Sequence, residues 1–322
     1  ITAGAERNLY TMQFNNRDDI IQMTSYWTGE RFPDGRPRVS DSVLERLRNM
    51  SIEEVWRLAW MKLNNYQFQG EFKCTHNTQK PTVGRAVTAT FVPIREDLEL
   101  AMMRQAKSQG MKGMYNQWVV DGLVEDDVFV ADLFDKTEYG TLVGGNLATV
   151  IRQKTKRGGA VVWGSIRDLQ QIREIEDINI FYRGFHPSPI RDITLVGYNA
   201  PCRIGHATCL PGDVVYACES GVCFIPPHMA EEVADDAEKI HVRDIFGFQR
   251  IHEGVYSATA IDEFPWQPEI FEDFMNWLKT DEKAEPYRHL TWEKERQLII
   301  ERRDLEHERY NLDSCRLDLC DV

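Results

Sequence analysis

VFVADLFDKTEYGTLVGGNLATVIRQKTKRGGAVVWGSIRD, residues 128–168, decides how the chain folds. Val128 to Asp132 is a short run of β-forming residues. Gly140, Gly144 and Gly145 punctuate a turn, and Asn146 to Lys156 has helical spacing, with Leu147, Val150 and Ile151 on one face. Gly158 and Gly159 stop that helix. Ala160 to Trp163 reads as a second, buried strand, which Gly164 lets the chain leave, so that Arg167 and Asp168 stand just past a strand end. The alternation of strand, helix and strand predicts a βαβ unit with parallel strands.

This arrangement has chemical content. A glycine turn that runs into a helix leaves backbone N–H groups without partners, and such a turn holds carboxylate or phosphate groups. Arg167 adds a fixed, planar positive fork, and Asp168 a hard oxygen ligand for a divalent metal. The plainer reading is a βαβ crossover that carries a solvent-facing Arg-Asp pair, and on spacing alone that reading stands beside the chemical one.

Further motifs carry a resemblance. Gly144-Gly145-Asn146-Leu147 is followed, with twenty residues between Asn146 and Arg167, by Arg167-Asp168. Upstream lies Val83-Gly84-Arg85-Ala86-Val87-Thr88-Ala89; downstream lie Leu210-Pro211-Gly212-Asp213-Val214-Val215 and Ser220-Gly221-Val222-Cys223-Phe224-Ile225-Pro226. In this order the motifs resemble the family named for the regulator of ribonuclease activity A (RraA), which also contains 4-hydroxy-4-methyl-2-oxoglutarate aldolases. The likeness spans about Ser40 to Ala237. It implies an α/β fold, an RraA-like swivelling β/β/α core over 40–237, with extensions at 1–39 and, helical, at 238–322. It implies a homotrimer or homohexamer, and a metal-dependent lyase that cleaves a 2-oxo acid through a pyruvate-like enolate. Asp168 would then ligate Mg²⁺ or Mn²⁺, Arg167 would meet the oxo or enolate oxygen, and Gly144, Gly145, Asn146 and Leu147 would hold the substrate carboxylate. The family's lyases carry Asp where this chain has Asn146. Asparagine orients water but is no base near neutral pH, so Asp132, Asp135, Glu138 and His186 are the candidates for proton transfer. The alternatives are another metal-assisted reaction on a hydroxy or oxo acid, or a non-catalytic binding protein like the family's namesake, which lacks the Asp after the Arg.

Composition sets the bounds. The chain has 322 residues, 42% of them hydrophobic, enough for a sizeable core. A formal net charge of −13 disfavours nucleic acid as a partner, and no run has the length of a membrane helix. The seven cysteines include no CxxC pair, which argues against a structural zinc site. Their odd number fits a reducing, cytoplasmic setting, although Cys315 and Cys320 are near enough in sequence to pair.

The rest of the chain supplies supports. Helices are expected at Asp18 to Trp27, from Ser40, from Ser51 with Glu54 closing a capping box, and at Leu98 to Gln109. Trp56 and Trp60 read as core or interface. Val83 to Val92 alternates as a strand; Leu169 to Ile175 is a short helix and Ile178 to Tyr182 another strand. His186 follows that strand in Arg-Gly-Phe-His-Pro-Ser-Pro. It reads equally as a catalytic base or ligand and as a histidine bonded to backbone. Four strands at Thr194 to Val196, Cys202 to Ile204, Val214 to Ala217 and Val222 to Ile225 suggest a small antiparallel sheet or barrel-like half. Helices are then expected at His228 to Arg243, Arg243 to Glu253, Ile261 to Leu278 and Thr291 to His307.

Overall fold

Alternating buried residues build the centre of the structure, a computed structural model that describes residues 15–62, 65–76 and 80–302. Helices α1 (Arg17–Met23), α2 (Asp41–Leu47) and α3 (Ile52–Met61) come first. Ser40 Oγ accepts from Val43 N to cap α2. Glu54 Oε2 accepts from Ser51 N at 2.6 Å and Ser51 Oγ from Glu54 N at 3.3 Å, which closes the capping box of α3. The side chain of Trp60 lies outside the described residues; Trp56 meets Phe68 edge-on.

Short strands β1 (Phe68–Gln69) and β2 (Lys73–Cys74) lead to the long β3 (Thr82–Pro93), then α4 (Glu96–Ser108) and α5 (Tyr115–Asp121). The deciding stretch follows as β4 (Asp127–Asp132), β5 (Thr141–Val143), α6 (Gly145–Thr155) and β6 (Gly159–Ile166). Next come α7 (Leu169–Arg173), β7 (Asn179–Phe185), β8 (Ile193–Tyr198), β9 (Cys202–Ile204), β10 (Ala207–Cys209), β11 (Val214–Cys218) and β12 (Gly221–Ile225). Strands β3, β4, β6 and β7 run parallel side by side, and β5 joins the end of β6. Every residue of β4 and β6 is buried, as expected of parallel strands covered on both faces.

Period-two alternation divides the core. Val87, Ala89, Phe129, Ala131, Ala160 and Val162 pack with the helices, including Ala148 and Ile151 of α6. Ala86, Val128, Val130, Val161 and Trp163 pack on the other face with Cys202, Ile204, Val215 and Phe224. Full burial of each large aliphatic side chain contributes roughly 1.5–3 kcal/mol.

The structure corrects several boundaries. The chain does not leave β6 at Gly164: the strand bulges between Val162 and Ser165 and continues to Ile166, where β5 pairs with it. Of the four later strands expected in a small sheet, only the one at Cys202–Ile204 lies outside the main sheet. Strands β8 and β11 pair antiparallel with β3, β12 with β11 and β2 with β7, giving one ten-stranded sheet, while β9 and β10 form a two-stranded ribbon. The described residues up to Asp236 form one compact unit, and those from Ala237 a second. The two helices expected between His228 and Glu253 are a single helix, α8 (Ala230–His252). The helix expected from Ile261 to Leu278 is broken into α9 (Ala258–Asp262) and α10 (Pro268–Thr280), because Pro265 and Pro268 cannot continue a helix. Residues 293–302 are helical; the rest of the expected last helix, Cys315 and Cys320 lie outside the described residues. Around Phe246, Trp266, Phe274, Trp277 and Trp292 the second unit has its own aromatic core. Among the described residues no helix is long and apolar enough to cross a membrane.

The segment before α2 is tied into the sheet by charge. Arg36 and Asp127, with side chains 2% and 0% exposed, pair at 2.8 Å, and Arg36 also meets Asp34 at 2.7 Å. The two carboxylates hold the Arg36 guanidinium above its ordinary range against the opposing effect of burial. Its guanidinium lies 4.7 Å from the centre of the Phe32 ring.

Candidate active site at the carboxyl ends of the parallel strands

The ends of β5, β6 and β7 place three of the expected site elements together. Arg167 N donates to Val143 O at 3.0 Å, and His186 N to Ile166 O at 3.2 Å, so the backbone around Arg167 is held between neighbouring strands. Ligands of open α/β sheets collect at such carboxyl ends. Asp168 follows with φ 57°, a left-handed conformation that aspartate tolerates better than most residues.

That turn points Asp168 at the start of α6. Its Oδ2 accepts from Gly145 N at 3.1 Å and lies 3.5 Å from Arg167 Nε. The aspartate expected to be a metal ligand is therefore also the cap of the glycine turn, bridging two segments 23 residues apart. Its other oxygen has no hydrogen bond among the described residues. Gly144 makes the approach possible: a Cβ there would lie 2.6 Å from Asp168 Oδ2 and 3.0 Å from Arg167 Nε. At Gly145 a Cβ would lie 2.6 Å from Gln171 Oε1, a neighbour that no local motif marks.

The N-terminus of α6 completes the arrangement. Gly144 is its N-cap and its carbonyl accepts from Ala148 N, while the N–H groups of Asn146 and Leu147 belong to the unpaired first turn. Asn146 is exposed and Leu147 half-buried. The side chains of Arg167 and Asp168 are 43% and 33% exposed, so the site is an open surface, within reach of solvent. A cavity of about 680 Å³ lies elsewhere, at the opposite ends of β6 and β7, lined by Gly158 and Asn179.

His186 is fixed by Ser188, two residues on. Its Nδ1 accepts from Ser188 N at 3.2 Å and lies 2.9 Å from Ser188 Oγ, which itself accepts from Tyr139 N at 2.8 Å. The Ser188 hydroxyl proton is thereby directed at Nδ1, so the neutral ring carries its proton on Nε2. In this state His186 presents an Nε2–H donor, with its Nδ1 engaged by Ser188. The local signal was the serine two residues on, in His-Pro-Ser. Among the described residues none of the other proton-transfer candidates is hydrogen-bonded or ion-paired to Arg167 or Asp168. Asp132 faces the ribbon side of the sheet, 3.5 Å from Arg203 Nε, and burial raises its carboxyl above the ordinary range. Asp135 pairs with Arg183 at 3.2 Å, and Glu138 is exposed.

No group of three or more His, Cys, Asp or Glu side chains able to hold a metal occurs among the described residues. A metal at this site would rest on the unengaged oxygen of Asp168. That donor fits Mg²⁺ or Mn²⁺, hard cations that keep several waters on one or two carboxylates.

The family model described as RraA-like, Aldolase/RraA, matches residues 37–224. The chain belongs to this family. The family's own description joins aldolases with RraA proteins, so membership alone does not select a chemistry. Among curated relatives, protein DlpA of Legionella pneumophila is 23% identical over 207 residues, 63% of this chain but only 30% of DlpA. The uncharacterized protein MJ0644 of Methanocaldococcus jannaschii is 24% identical over 166 residues, 50% of this chain and 78% of that protein. Among solved structures, RraAS2 of Streptomyces coelicolor, described as an unusual member of the RNase ES inhibitor RraA family, is 23% identical. It aligns with a TM-score of 0.56 over 66% of this chain and 100% of that one. An uncharacterized protein from Pseudomonas syringae pv. tomato is 18% identical, with a TM-score of 0.57 over 70% of this chain and 95% of that one. At these identities the likeness shows the fold, with the additional helices of this chain at its C-terminal side.

Proposed function

We propose that this protein is a divalent-metal-dependent carbon–carbon lyase acting on a 2-oxo acid, and that it works as a homotrimer or homohexamer. The observation that carries the reading is the meeting of Arg167 and Asp168 with the first turn of α6 at the carboxyl ends of parallel strands. The Asn146 and Leu147 N–H groups and the positive end of the helix dipole bind the substrate carboxylate. Arg167 has only its Nε beside Asp168, which leaves the outer edge of the guanidinium for the 2-oxo oxygen. As the adjacent carbon–carbon bond breaks, that oxygen gains charge, and a preorganised guanidinium stabilises the enolate. When bound at Asp168, Mg²⁺ or Mn²⁺ supplies Lewis-acid polarisation of the same oxo group. Asn146 orients water by hydrogen bonds, and His186 Nε2–H serves as a donor.

The test is release of pyruvate from a panel of 2-oxo acids with Mg²⁺, with and without chelator. Asp168→Asn should abolish metal dependence and most turnover together, and Arg167→Lys should lower turnover by about 10²–10³ with the fold retained. Full turnover by either variant, or in excess chelator, removes the pair from the mechanism. A well-folded chain inert toward every 2-oxo acid would leave a protein-binding regulator as the better reading. Light scattering that gave a monomer mass at micromolar concentration would reject the assembly.

A further inference from the structure

A second cavity, of about 420 Å³, shares no residue with the Arg167 site. Its walls include Tyr26, Trp27 and Pro226, and its lining includes Gln67, Asp213 and His228. Its volume lies within the range of small-molecule sites, about 300–1,000 Å³.

The buried part of the lining offers acceptors, and the Ser25, Tyr26 and Thr208 hydroxyls and the His228 ring also line the cavity. Asp213 is 2% exposed; its Oδ2 accepts from Leu210 N at 2.8 Å, and its other oxygen has no hydrogen bond among the described residues. Gln67 spends both amide hydrogens on Thr208 O at 3.2 Å and Phe224 O at 3.0 Å, which leaves its carbonyl oxygen to accept. Trp27 Nε1 donates to Glu30 O at 2.7 Å, and Thr24 Oγ1 to Ile20 O at 2.6 Å, so both donors are spent. No lysine or arginine lines the cavity. Tyr26 meets His228 edge-on at 5.4 Å between ring centres. Aromatic faces beside a buried carboxylate attract cations.

We propose that this cavity binds a small organic ammonium ion, held by Asp213 and Gln67 and flanked by the Tyr26 and Trp27 rings. Asp213 has no counter-charge beside it, and burial pushes its carboxyl up to about 8, so the free protein holds a proton there near neutral pH. The other titratable groups around it offer none: burial and Lys62 lower His228, and burial raises the Cys209 and Cys223 thiols. An entering ammonium takes the place of that proton, which leaves to solvent, and supplies both the charge and a donor for the unpartnered oxygen. The lack of cations in the wall turns anionic ligands away.

Titration calorimetry of the full chain with benzylamine, benzyl alcohol and benzoate tests this. Saturable binding of benzylamine is expected, with benzyl alcohol and benzoate at least tenfold weaker. Asp213→Asn should weaken benzylamine at least tenfold, and Tyr26→Ala about threefold. Absence of saturable benzylamine binding, equal binding of the alcohol or benzoate, or undiminished affinity in a folded Asp213→Asn variant would each overturn the proposal. Should Asp213→Asn fail to fold, the ranking of the three ligands and the exposed Tyr26→Ala variant decide it, and unchanged affinity in the latter counts against it.

Discussion

Replacing Asp213 by asparagine should flatten the pH dependence of stability in the free protein. The side chain is buried, accepts one backbone hydrogen bond and has no cation beside it, and its carboxyl is raised from 3.8 to about 8. Between those limits the folded chain keeps a proton that the unfolded chain has released. The folded state then binds more protons, so stability falls as pH rises, by at most about 1.4 kcal/mol per pH unit. This contribution is fully present below the unfolded value and lost as pH passes through the folded one. The whole effect has a ceiling of roughly 6 kcal/mol, reduced wherever water reaches the open oxygen. Asparagine has nearly the same shape and can keep the bond from Leu210 N, but carries no titrating proton. Urea unfolding of both proteins at half-unit steps from pH 5 to 8.5 isolates the term, because other titrating groups cancel in the difference. The variant should gain several kcal/mol relative to the parent across this range. A difference constant with pH would refute the argument, and one that moved toward the parent would reverse its sign.

Other perturbations test other parts of the argument. Gly144→Ala sets a Cβ 2.6 Å from Asp168 Oδ2, where ordinary contact begins at 3.4 Å, so the carboxylate must retreat by about 0.8 Å. A misplacement near 1 Å can cost about 10² in rate, and a melting point near the parent's with undiminished pyruvate release would contradict it. Arg36→Met leaves Asp127 buried without its partner and should cost about 3–5 kcal/mol in denaturant unfolding. Adding Asp127→Asn should restore much of that loss, and simple additivity of the two costs would show that the pair is not coupled. If Asn146 only orients water, Asn146→Asp should retain or raise lyase activity and Asn146→Ala lower it; equal rates for all three place the residue outside the site.

What could be read from the sequence was local. The apolar run at Val128, the glycines at Gly144 and Gly145, and Arg167-Asp168 after a buried strand each announce themselves within a few residues. The break of the helix expected across Ile261 to Leu278 is also legible, in Pro265 and Pro268, against the aromatic spacing that argues for one helix. The remainder depended on partners far along the chain. The end of β6 is set by β5 and β7, not by Gly164. Strand β8 joins the main sheet through β3, about a hundred residues earlier, and no turn signal encodes that pairing. The state of His186 was within reach, because Ser188 is near in sequence, but only the Tyr139 N–H that holds the serine fixes the direction of its hydroxyl.

The Arg36–Asp127 pair has a consequence for how the molecule can be divided. Likeness to the family begins at residue 37, one position after Arg36. A fragment cut at that border would retain Asp127 in the middle of the sheet and discard the cation that neutralises it. The border found by comparison of sequences is thus no seam in the energetics. The preceding segment behaves as a plug whose charge the core was built to receive, and a relative without it needs another cation, or an uncharged residue, where Asp127 stands.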